Sequence, residues 1–91
     1  MARVLITAQV QDSAKWEKGF RTHGDLLRTF AATVSHFATT DKNEVAVYTE
    51  TSDLAKYLKA LDSPAIAAAM TQDGVKRETV KVFVLDREFK Y

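Results

Sequence analysis

The stretch from Trp16 to Phe30 constrains this chain more than any other. Wound as an α-helix at about 100° per residue, it brings Trp16, Phe20, His23, Leu27 and Phe30 within roughly 80° of arc. Lys18, Arg21, Asp25 and Arg28 point away from that stripe. One helix thus presents three aromatics, a leucine and an imidazole to whatever it packs against. A stripe of this kind is buried in a folded domain, as plain core or as the roof of a ligand pocket. The two glycines within it, Gly19 and Gly24, border the stripe on opposite sides. Each costs roughly 1 kcal/mol against alanine in a helix interior. They mark either a kink, with the helix broken at Gly24 and restarted by Asp25, or space left for a neighbouring backbone or a ligand.

The remaining elements follow from local pattern. Arg3 to Val10 alternates, with Val4, Ile6, Ala8 and Val10 on one strand face and Leu5, Thr7 and Gln9 on the other. Asp12 or Ser13 caps the first helix, which is expected to end near Ala32. Val34 to Thr39 is a second strand, with His36 sharing the parity of Val34 and Ala38. Thr40-Asp41-Lys42-Asn43 supplies turn chemistry, and Val45 to Thr49 completes a hairpin. Thr51, Ser52 and Asp53 are cap candidates for a helix carrying Leu54, Tyr57, Leu58 and Leu61 inward. Ser63-Pro64 starts another helical piece, with serine as cap and proline at the first helical position. That piece carries Ile66 and Met70 and stops at Asp73-Gly74. Thr79 to Leu85 is the last strand.

The order βαββαβ predicts an α+β, ferredoxin-like fold over residues 1–91, a four-stranded antiparallel sheet with both helical regions on one face. The chain has 91 residues, enough for one domain. Its net charge is +1 with acids and bases interleaved, so a nucleic-acid footprint is absent. Cysteine is absent too, which removes disulfides and thiolate chemistry. No apolar run approaches the ~20 residues of a membrane span and the first residues make no signal peptide, so a cytoplasmic protein is expected.

Parity leaves Leu5, Tyr48, Phe83 and Leu85 on the sheet face that the helices do not cover. Phe89 and Tyr91 continue the same parity into the tail. Together they exceed the few hundred Å² of contiguous apolar surface that monomers expose. A homodimer is expected, with two sheets face to face and the tail reaching across to the partner.

These features resemble the dimeric α+β barrel superfamily. The resemblance lies in Asp12-x-x-x-Trp16-x-x-x-Phe20-x-x-His23 and in Asp41-Lys42-Asn43-Glu44-Val45-Ala46-Val47-Tyr48. It continues through Ser52-Asp53-Leu54, Ser63-Pro64-Ala65-Ile66, Met70 and Gly74-Val75. It is similar to the small single-domain members, related to antibiotic-biosynthesis-monooxygenase-like and stress-responsive barrel proteins. The superfamily also contains cofactor-independent and quinol monooxygenases, haem-degrading enzymes and muconolactone isomerases. The resemblance implies a pocket between helices and sheet. Haem-binding members place an axial histidine in the second helical region, whereas Leu54 to Gly74 contains none, so no haem is expected.

The candidate site residues are therefore His23 and His36 as proton-handling groups converging on one helix–sheet cavity. Trp16, Phe20, Phe30, Tyr57 and Met70 are expected to line it for a small apolar or aromatic molecule. The two histidines have no HxH or HExxH spacing to add a third ligand, and no phosphate-cradling loop is present. Neither a metal nor another cofactor is expected. Two functions remain open. One is cofactor-independent oxygenation or isomerisation of an electron-rich enol or phenol. The other is non-catalytic ligand binding or a structural role around a closed core.

Overall fold

The computed structural model describes all residues from 1 to 91. It contains strand β1 (Ala2–Gln9), helices α1 (Ser13–Phe20) and α2 (Gly24–Thr29), and strands β2 (Ala32–Thr39) and β3 (Glu44–Thr51). Helices α3 (Leu54–Leu61) and α4 (Pro64–Gln72) and strand β4 (Lys81–Val84) follow. The sheet order is β2-β3-β1-β4, with each neighbouring pair antiparallel. This is the ferredoxin-like arrangement that the strand and helix order predicts.

Caps and turns form where the side chains allow them. Asp12 accepts from Lys15 N at 3.0 Å, Asp53 from Lys56 N at 3.0 Å, and Ser63 from Ile66 N at 3.3 Å. Each satisfies an amide that the first helical turn leaves free. Asn43 adopts φ 58° in the hairpin, and its side-chain oxygen accepts from Ser13 N at 3.0 Å. That bond ties the β2–β3 turn to the start of α1. Gly74 ends α4 at φ 76°, the left-handed conformation that a Cβ disfavours.

The long first helix is not continuous. Arg21–His23 tightens into a 3₁₀ turn, and the α-helix restarts at Gly24. The interruption expected at Gly24 is therefore observed. Phe30, the C-cap beyond the last helical residue of α2, leaves the aromatic stripe. The last strand also begins later than its pattern suggested. Arg77–Thr79 forms a 3₁₀ turn, and Thr79 Oγ1 accepts from the Gln9 amide at 2.9 Å instead of joining the ladder.

The buried core lies between helices and sheet, around Val4, Ala8, Val45 and Val47 from the strands and Trp16, Tyr57 and Ile66 from the helices. Trp16 stacks on Phe20 with ring centroids 5.0 Å apart, and Phe37 meets both rings edge-on at 5.6 and 5.3 Å. Phe37 pairs with Val47 across β2 and β3, which puts it on the helix side. His36, paired with Tyr48, consequently faces the other way. A side-chain period of two allows no alternative once Phe37 is fixed. Val82 and Val84 lie opposite Ile6 and Val4 on the helix side, yet remain exposed. The helices cover the two central strands and leave the β4 edge open. No helix is long and apolar enough to cross a membrane.

Candidate functional site

A cavity of about 90 Å³ lies between the helices and the sheet. Its floor is strand surface, from Ile6 and Ala8 on β1 and Val45, Val47 and Thr49 on β3. Its roof is the broken first helix, through Trp16, Phe20, His23, Leu26 and Leu27. Tyr57, Ile66, Met70 and Asp73 close it from α3 and α4. Fifteen of its eighteen lining residues are hydrophobic, so the few polar groups stand out.

The most consequential of these is a pair. His23 Nδ1 lies 3.1 Å from Asp73 Oδ2. The Asp73 side chain is 7% exposed and that of His23 18%, so the carboxylate sits behind the imidazole as seen from solvent. Burial pushes the Asp73 carboxyl above the usual carboxylate range, while the charge and hydrogen bond of His23 pull it back down. With Nδ1 beside the carboxylate, Nε2 is the ring nitrogen left to exchange protons.

Gly19 explains how the pair is assembled. A Cβ at position 19 would overlap the Asp73 carboxyl group. The missing side chain on α1 is the notch in which that group sits. Gly24 has no neighbour within 4 Å of where its Cβ would stand. Of the two glycines, only Gly19 makes room for a neighbour. Tyr57 and Thr49 supply a second polar feature. Burial raises the Tyr57 phenol above its ordinary value, opposed by a hydrogen bond with the Thr49 side chain.

The expected site residues divide accordingly. His23, Trp16, Phe20, Tyr57 and Met70 all line the cavity. Phe30 does not: α2 ends at Thr29, and Phe30 is its C-cap with non-helical dihedrals, φ −100° and ψ 27°. Nor does His36, and the expected convergence of two histidines is corrected by the β2–β3 register. His36 instead lies exposed on the open face beside Tyr48, with ring centroids 5.9 Å apart. Tyr48 donates to Glu50 Oε2 at 3.1 Å, and its phenol is raised by desolvation and then by the Glu50 carboxylate.

Asp73 was absent from the sequence candidates, because Asp73-Gly74 reads as a helix stop. A usable signal was there. An acidic residue at a helix C-terminus opposes the helix dipole, so its position calls for another cause. No three His, Cys, Asp or Glu side chains stand together as a metal site would require.

No family model and no curated sequence matches this chain. Solved structures do match it in fold. A candidate antibiotic biosynthesis monooxygenase of Bordetella bronchiseptica superposes with TM-score 0.76 at 9% identity, over 97% of each chain. SnoaB, a cofactor-independent oxygenase of Streptomyces nogalater, gives TM-score 0.71 at 13% identity, covering 98% of this chain and 94% of its own. A NIPSNAP domain protein of Burkholderia xenovorans gives 0.66 at 15%, covering 97% and 95%. The chain thus has the ferredoxin-like α+β fold that its sequence resemblance implied, shared with antibiotic-biosynthesis-monooxygenase-like proteins and also with a NIPSNAP domain protein.

Proposed function

We propose that the cavity binds a small, neutral apolar or aromatic molecule and that His23 removes a proton from it. The reaction class is cofactor-independent oxygenation or isomerisation of an enol or phenol. The carrying observation is the His23–Asp73 pair set into an otherwise apolar chamber. A base held in a dry site, with its proton-bearing nitrogen oriented, is what enolate or phenolate formation needs. No lysine or arginine lines the cavity and Asp73 stands in its wall, which selects against anionic substrates. A resulting carbanion could react with dissolved oxygen or be reprotonated at another carbon. The fold shared with SnoaB supports the oxygenation branch by analogy.

Size narrows the substrate. A cavity of about 90 Å³ is smaller than the ~150 Å³ apolar cavity that holds benzene in an engineered protein. A single ring therefore enters only if rim side chains such as Leu26 or Met70 move aside. The same tightness favours the alternative, a non-catalytic protein with a nearly closed core.

Trp16, the sole tryptophan, forms part of the cavity roof and reports on occupancy. Titration with monocyclic phenols and enolisable ketones should change its fluorescence, and the binders should consume oxygen or isomerise. Full turnover by His23→Ala would remove His23 from the mechanism. Absence of any binder would leave the closed-core alternative.

The assembly belongs to the same reading. Phe83, Leu85, Phe89 and Tyr91 are exposed in the single chain, with Leu5 and Tyr48 beside them on the open face. Two copies pairing through these faces would bury that surface and leave both cavities on the outside of the dimer. A monomeric mass in sedimentation at micromolar concentration would remove the dimer.

A further inference from the structure

We infer that Gly19 and Asp73 form a positioning unit for His23, in which the glycine notch seats the carboxylate and the carboxylate fixes the imidazole as its Nδ1–H tautomer. The functional use of that tautomer rests on the proposed role of His23 as a base. The tautomer itself does not.

Three independent features converge on this unit. The first is the geometry, with Nδ1 and Oδ2 3.1 Å apart. An ionised carboxylate accepts hydrogen bonds and cannot donate, so beside it the single N–H proton of a neutral imidazole belongs to Nδ1. The second is the fit of α1 around the carboxyl group. The three heavy atoms nearest to a Cβ at position 19 all belong to that group. A glycine in the body of an α-helix costs stability, and here the space it leaves is filled by one functional group. The third is placement. Asp73 closes the C-terminus of α4, where the helix dipole disfavours a negative charge, and the Asp73 residue is buried. Neither helix packing nor capping requires a carboxylate at that point, whereas orienting an imidazole does. Of the residues lining the cavity, the titratable ones are His23, Asp73 and Tyr57, so no other charged group competes for the ring.

Asp73 acts through His23 and is a positioning residue. Its carboxylate holds the ring, leaves the Nε2 lone pair available to accept a proton, and stabilises the imidazolium once that proton has arrived. Gly19 acts one step further back, by letting the carboxylate approach.

Ring-nitrogen NMR of the full chain tests the unit without any substrate. There are two histidines, and the exposed His36 serves as an internal reference for a solvated imidazole. A His36→Gln variant assigns the signals. Above the imidazole titration, His23 is expected to show a protonated Nδ1 and an unprotonated Nε2. Asp73→Ala and Gly19→Ala are each expected to abolish that preference and give His23 the pattern of His36. Gly24→Ala, one turn away in open space, is expected to leave it intact. Should either variant fail to fold, the wild-type spectrum still decides. A wild-type His23 protonated on Nε2 overturns the unit, whatever turnover assays return. Retention of the Nδ1–H tautomer in folded Asp73→Ala overturns it as well. If a substrate is identified, loss of the carboxylate should lower kcat with little change in KM. The opposite split would contradict a positioning role.

Discussion

One histidine lies on each side of the sheet, His23 in the helical layer and His36 on the open face, and the contrast between them is instructive. On the helix-covered face, His23 is mostly buried, held by Asp73, and set among Trp16, Phe20 and Met70. On the open face, His36 lies exposed beside Tyr48, with Phe83 and Leu85 further across the sheet. The residue type is the same, but the chemistry available differs. A carboxylate partner held in low dielectric orients an imidazole ring, whereas an exposed imidazole without such a partner is not so constrained. The first face buries its imidazole against a partner, and the second offers surface.

The comparison can be broken most forcefully at Trp16. Trp16→Ala would empty the roof of the cavity and should cost about 3–5 kcal/mol in denaturant unfolding, a large part of a small domain's stability. A cost below 1 kcal/mol would mean that the covered face is not the packed one. Next comes His23→Ala, expected to lower turnover of an identified substrate about 10²–10⁴-fold, the usual range for a general base. His36→Ala should leave both turnover and stability within about 0.5 kcal/mol of wild type. Equal effects at the two histidines would erase the distinction between the faces.

On the open side, the proposed dimer predicts that Phe83→Lys halves the sedimenting mass and makes the melting temperature independent of protein concentration. An unchanged dimer would place the interface elsewhere. The pH dependence of Asp73 sharpens the picture of the covered face. Its carboxyl is raised in the folded protein, so the folded state holds a proton that the unfolded chain has released. Unfolding free energy attributable to this group therefore falls as pH rises through the window between the ordinary carboxylate value and the raised one. Asp73→Asn should be more stable than wild type above that window, with the advantage vanishing below it. Thermal melts at a series of pH values check the sign, and an advantage confined to acid pH would reverse it. The smallest expected effect is at Gly24→Ala. With open space around the new methyl group and a helical backbone at φ −57°, it should add roughly 0.5–1 kcal/mol.

Much of the architecture was legible along the chain because it depends on neighbours in sequence. Asp12, Asp53 and Ser63 cap the helices they precede, Asn43 and Gly74 take left-handed turns, and alternation placed Val4, Ala8 and Tyr48 on the correct faces. Legibility failed where one local choice propagates. The first helix is interrupted at Arg21–His23 and ends at Thr29, which leaves Phe30 outside the stripe as a non-helical C-cap. In β2, parity alone cannot say which face is which, and the Phe37–Val47 pairing turns His36 outward.

The amphipathic stretch from Trp16 therefore specified, by itself, a helix that must bury an aromatic face bearing one imidazole. What it did not contain was the partner of that imidazole. Asp73 lies fifty residues further on, at the end of another helix, and reaches His23 only because α4 packs beside α1 at the notch left by Gly19. Local periodicity encodes which face of an element is apolar. Which polar groups meet across two packed elements depends on their separation and rotation, and those are set only when the whole core closes.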